Sequence, residues 1–89
     1  MKTEIQEFTE LSPFDLETIK SPSRKRELVY WRNAIMYQLR QKGYVLEDIG
    51  KALNRSSHSS VINAIKNIEN AKDGFNPEQL EIYKIINSN

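Results

Sequence analysis

The densest polar chemistry in this 89-residue sequence is Ser57-His58-Ser59-Ser60, with Asn63 and Lys66 continuing the same polar face. Hydroxyls, an imidazole and an amide both donate and accept hydrogen bonds. At the start of a helix, such a set can reach base edges or phosphates. It is not arranged for catalysis. Neighbours along a helix do not face one another, and no acid is placed to orient the imidazole, so a serine nucleophile activated by histidine is set aside. Metal binding is set aside too, because His58 is the only histidine and there is no cysteine. The plain alternative is that His58 is an ordinary surface residue. A second cluster, Arg24-Lys25-Arg26, follows Ser21-Pro22-Ser23, where proline disfavours helix at the residue before it. Cations on such a break can contact phosphates or a minor groove, although short basic clusters are also found as solvated loops.

The charge pattern favours a polyanion. Net charge is only +1, but residues 1–20 sum to −3, residues 21–66 to +6 and residues 67–89 to −2. A basic middle between acidic ends gives one face to a polyanion and leaves the remainder to keep the chain soluble, with an ordinary solvated surface as the alternative. The length allows one domain over residues 1–89, and with 38% hydrophobic residues nearly all must go into one small core. Little space is left for an enclosed active site, so no enzyme activity, cofactor or small-molecule substrate is expected. The absence of cysteine fits a reducing compartment, and no run approaches the ~18 apolar residues of a membrane span. A cytoplasmic protein without membrane contact is expected.

The elements that must position these clusters are helical, since apolar residues recur at three and four and no strand alternation is sustained. Five or six helices are expected. A weak helix lies within residues 3–11, and a short one runs from Pro13 to about Lys20 with Ser12 as its N-cap. The longest runs from about Arg26 to Lys42 on Leu28, Trp31, Ile35 and Leu39, and ends at Gly43. Leu46, Ile49 and Leu53 mark a short helix, and Asn54-Arg55-Ser56 a turn. Val61, Ala64, Ile65 and Ile68 mark a longer helix closing at Gly74. A last helix starts at Asn76-Pro77 with Leu80, Tyr83 and Ile86 on one stripe. Residues 45–72 thus have the layout of a helix-turn-helix, with Gly50 where the second helix can cross closely and Ile49, Leu53 and Val61 filling the crossing. Tyr30, Trp31, Tyr37 and Tyr44 are expected in the core or at its edge rather than stacked on bases.

The strings Arg32-Asn33-Ala34-Ile35-Met36-Tyr37, Leu46-Glu47-Asp48-Ile49-Gly50 and His58-Ser59-Ser60-Val61 resemble the C-terminal DNA-binding domain of the bacterial replication initiator DnaA. Phe14-Asp15-Leu16, Ser23-Arg24-Lys25-Arg26 and Lys66-Asn67-Ile68-Glu69 fall in register with it, with one residue fewer before Leu46. The resemblance implies an all-α, compact bundle containing a helix-turn-helix, of the kind shared by the Trp repressor and DnaA domain IV. It implies binding to a short double-stranded DNA box. Carried over by position, Arg24 falls on a minor-groove arginine, His58, Ser59 and Ser60 on major-groove readers, and Arg40 on a basic residue near the end of the long helix. Ser57 stands where the family has an acid, Ser56 where it often has arginine, and Glu47 where it often has proline. An alternative function is a regulatory module that keeps this fold and contacts a replication initiator or other replication protein instead of a specific DNA site.

Overall fold

The computed structural model describes residues 1–55 and 58–88; Ser56, Ser57 and Asn89, and with Ser57 one expected base reader, lie outside the described residues. Among the described residues there are six helices and no strand: α1 (Lys2–Leu11), α2 (Leu16–Lys20), α3 (Arg26–Gln41), α4 (Leu46–Ala52), α5 (His58–Lys72) and α6 (Pro77–Asn87). The all-α bundle with a helix-turn-helix is therefore the observed architecture.

Helix α3 is the axis of the bundle and packs against each of the other five. Its apolar residues explain this. Leu28, Trp31, Ile35 and Leu39 step around one face, Ala34 and Met36 widen it, and all are buried. Trp31, the only tryptophan, is 4% exposed. Tyr37 is also buried, and Tyr30 and Tyr44 are half-buried against the core, so these four aromatic residues serve packing as expected.

Three helix ends share one device. At the end of α3, Gly43 has φ +98°, its N–H donates to Arg40 O at 3.0 Å, and the Tyr44 N–H reaches back to Leu39 O at 3.3 Å. This pair of bonds satisfies carbonyls that the helix leaves open, and it requires a left-handed residue between them. Gly74 repeats it after α5, with Gly74 N–H on Ala71 O and Phe75 N–H on Asn70 O. Asn54 repeats it after α4 at φ 58°, using an asparagine, the side chain that best tolerates this region after glycine.

Two expectations are corrected. Ser12 does not cap α2, and that helix does not start at Pro13: it begins at Leu16, and Asp15 is its N-cap, accepting the Thr18 N–H at 2.8 Å. Ser12 instead closes α1, donating to Thr9 O at 2.7 Å while its Oγ accepts the Phe14 N–H. The stripe of α6 is centred on Gln79, Ile82 and Ile86, with Leu80 and Tyr83 half-buried at its edges. A buried amide sets that rotation. Asn33 Nδ2 donates to Gln79 Oε1 at 2.9 Å, and Gln79 Nε2 to Asn67 O at 3.3 Å, joining α3, α6 and α5. Buried polar groups need partners, so α6 turns its glutamine inward.

Helix α1 is held to the opposite end of α3. The Tyr44 hydroxyl donates to Glu4 Oε2 at 2.7 Å, and this bond, with the N-terminal ammonium second, holds the Glu4 carboxyl below its ordinary range.

Candidate nucleic-acid interface

The turn between α4 and α5 depends on Gly50. Its carbonyl accepts the Arg55 N–H at 2.6 Å, and a Cβ at position 50 would stand 3.0 Å from Arg55 O and 3.6 Å from Val61 Cγ2. A methyl group there would press on backbone, so the absence of a side chain lets the chain turn back tightly and lets α5 lie against α4. Ile49, Leu53 and Val61 fill the crossing and are fully buried. Helix α5 buries Val61, Ala64, Ile68 and Ala71, which leaves its other face to solvent.

His58, Ser59, Asn63 and Lys66 are exposed, and Ser60 is half-buried. No acid lies in the first turn of α5, so its positive dipole end is not neutralised locally. Ser59, Asn63 and Lys66 are spaced to share one side of the helix. Ile62 lies beside them and is 38% exposed. The sequence reading passed over Ile62, because the three-and-four stripe of Val61, Ala64, Ile65 and Ile68 omits it and the candidate readers were chosen by polarity. Its position three residues after Ser59 was the available signal. An apolar side chain on this face can pack on a thymine methyl group.

Arg24, Lys25 and Arg26 are exposed, the first two on the loop before α3 and the third at its first position. Two other arginines, which the charge count did not distinguish from these, hold that loop from behind. Buried Arg32 donates from Nε to Ile19 O at 2.8 Å, and from Nη2 to Ser21 O at 2.9 Å and Ser23 O at 3.2 Å. Arg55, in the α4–α5 turn, donates from Nη2 to the same Ser21 O at 2.9 Å. Serines complete the loop: Ser21 Oγ donates to Thr18 O and accepts the Ser23 N–H, and Ser23 Oγ accepts the Lys25 N–H. The loop that carries the three exposed cations is thereby bonded, through Ser21, to Arg55 three residues before α5.

Neither Arg32 nor Arg55 is paired with a carboxylate among the described residues. Burial first and the neighbouring Arg55 second bring Arg32 down to about 10. Both remain charged at neutral pH. Two cations facing backbone carbonyls, uncompensated by acids, leave positive potential at the base of the basic loop.

Arg40 is not brought together with this group. It stands in the last turn of α3, about 21 Å along the axis from Arg26 at 1.5 Å per residue, and donates from Nη1 to Tyr44 O at 3.0 Å. Glu47, in the first turn of α4, is exposed and pairs with Lys51 at 3.1 Å, which offsets its charge. Among the described residues, no group of three or more His, Cys, Asp or Glu side chains could hold a metal ion, and no helix is long and apolar enough to cross a membrane.

Residues 4–68 match the family described as bacterial DnaA protein helix-turn-helix. The chain is 39% identical over 79 residues to the chromosomal replication initiator protein DnaA of Oleidesulfovibrio alaskensis, covering 85% of the chain and 17% of that protein. It is 36% identical over 73 residues to the protein of the same name from Ureaplasma parvum, covering 80% of the chain and 16% of that protein. The chain thus spans about a sixth of the length of these curated relatives. No solved structure matches it.

Proposed function

The chain belongs to the bacterial DnaA helix-turn-helix family, and on that premise we propose that residues 1–89 act as one sequence-selective duplex-binding module related to replication-origin box recognition. Family membership supports DNA binding. The structural observation that carries the reading is the hydrogen bond from Arg55 to Ser21 O, which ties an exposed basic loop to the turn that leads into an exposed polar helix start. In this reading α5 enters the major groove. His58, Ser59 and Ser60 face base edges, Ser57 is retained as a base reader from the sequence alone, and Asn63, Ile62 and Lys66 extend the contact. Arg24 enters the adjacent minor groove, Lys25 and Arg26 meet phosphates, and Arg40 meets the backbone from the far end of α3. The partner is double-stranded DNA in the cytoplasm, and the role is binding without catalysis.

Selection from a random duplex pool tests this. A short enriched motif is expected, with affinity falling steeply with salt. If about four phosphates are neutralised, the log-log salt slope lies near −3 to −4. A flat slope with no enriched motif would exclude duplex binding and leave a module that contacts a replication initiator or another replication protein.

A further inference from the structure

Arg55 sits at neither of the two DNA-facing clusters, yet its side chain is the direct polar link between the segments that carry them. Its Nη2 and that of Arg32 converge on one acceptor, Ser21 O, each at 2.9 Å. Arg32 comes from the axis helix α3 and fixes three successive odd-numbered carbonyls, at Ile19, Ser21 and Ser23. Arg55 comes from the turn that sets where α5 begins, and its own backbone is fixed by the bond from its N–H to Gly50 O. Anything that moves the turn therefore moves a donor to the loop, and Arg24 lies three residues beyond the shared carbonyl.

Two guanidinium groups on one carbonyl repel each other, and no carboxylate among the described residues offsets them. Such an arrangement persists only where the surrounding fold holds both groups in place. Arg55 is also less enclosed than Arg32, being half-buried rather than buried, so packing alone does not account for its orientation. A planar fork aimed at a backbone carbonyl restricts the loop more tightly than a contact between mobile side chains would.

We propose that Arg55 is a positioning residue for selective DNA binding: it holds the basic loop in register with α5, so that Arg24 and the first turn of α5 engage adjacent grooves as one unit. The inference rests on the duplex-binding reading above and specifies how that reading is achieved. A tether of this kind makes the contribution of Arg24 depend on Arg55. Without the tether the loop has to be ordered on binding, and much of what Arg24 contributes to the preferred site is lost.

The test is a double-mutant cycle on the full chain with Arg24→Ala and Arg55→Met, read against the selected duplex and a scrambled one. Arg55→Met is expected to weaken the selected site about tenfold and the scrambled duplex less than about twofold, with the salt slope unchanged. In the Arg24→Ala background the same change is expected to cost less than about twofold on the selected site. Losses that multiply, or an equal loss on both duplexes with a slope smaller by about 1, would overturn the proposal in favour of an independent phosphate contact. Amide hydrogen exchange without DNA gives a second arm: Arg55→Met should accelerate exchange at Ser23 and Lys25 while α3 stays protected, and unchanged exchange overturns the tether. A wild-type chain that selects no duplex overturns the DNA reading and the groove coupling together, while the exchange arm still reports on the loop itself. Should Arg55→Met fail to fold, Arg55→Lys, which keeps the charge but gives up the fixed fork, carries the same comparisons with smaller expected losses.

Discussion

The middle of the chain carries two sets of arginines that differ in where they point. Arg24 lies on the exposed loop before α3 and Arg26 at the first position of that helix, whereas Arg32 is buried and Arg55 half-buried, both bonded to carbonyls at the end of α2 or within that loop. A formal count assigns all of them equally to a +6 segment between residues 21 and 66. Their consequences differ: the outward set is available to a polyanion, and the inward set shapes the loop that presents it. Charge within a sequence thus overstates charge on a surface, because a guanidinium with five donors can be used up on backbone.

The largest expected effect that would sharpen this contrast is on stability. Arg32→Ala strips Ile19 O and Ser23 O of their side-chain donor and leaves Ser21 O with Arg55 alone, and we expect a loss of about 2 to 4 kcal/mol in denaturant unfolding, the range for buried polar groups left without partners. A loss below about 0.5 kcal/mol would put Arg32 in the same class as exposed substitutions and break the comparison. Next is Arg24→Ala, for which stability should hold while binding to the selected duplex weakens by about 1 to 3 kcal/mol, mostly at that site. Titration against selected and scrambled duplexes checks it, and an equal loss on both would make Arg24 a phosphate contact. Lys25→Ala should act on all duplexes alike and lower the magnitude of the salt slope by about 1.

The smallest effect is in acid. Glu4 is held below its ordinary range first by the Tyr44 hydroxyl, and Asp15 first by the Thr18 side chain and then by its backbone. Folded-state values below the unfolded ones mean that these contacts contribute above the unfolded values. Their contribution is lost as pH falls through the folded ones. Lowering the pH from 7 toward 3 should therefore loosen α1 and α2 in hydrogen exchange before α3 and α5, while the inward arginines stay charged. Simultaneous loosening of all helices would contradict this.

The elements that were legible in the sequence are those where one residue type has one use. Gly43 and Gly74 end their helices in the left-handed region, Gly50 permits the close approach of α5, and the three-and-four spacing of Leu28, Trp31, Ile35 and Leu39 makes α3 the axis. What was not legible involves residues with two uses. Ser12 and Asp15 are both good caps, and only the packing of α1 assigns the serine to one helix and the aspartate to the next. Gln79 reads as surface until Asn33, far away in sequence, supplies its partner. At the candidate site, the exposed cluster at His58, Ser59, Asn63 and Lys66 was readable from polarity and spacing. Ile62 was missed because the site was read from polar side chains alone, and Arg32 and Arg55 were hidden by their charge.

The burial of Trp31 makes the protein its own optical reporter of integrity. As the only tryptophan, 4% exposed in the core and on the axis helix rather than on either of the clusters proposed to meet DNA, it should emit at short wavelength when folded and shift to the red on unfolding. An added duplex has no route to the indole except by opening the core. Emission recorded during a DNA titration therefore separates a variant that has lost its contacts from one that has lost its fold, within a single cuvette.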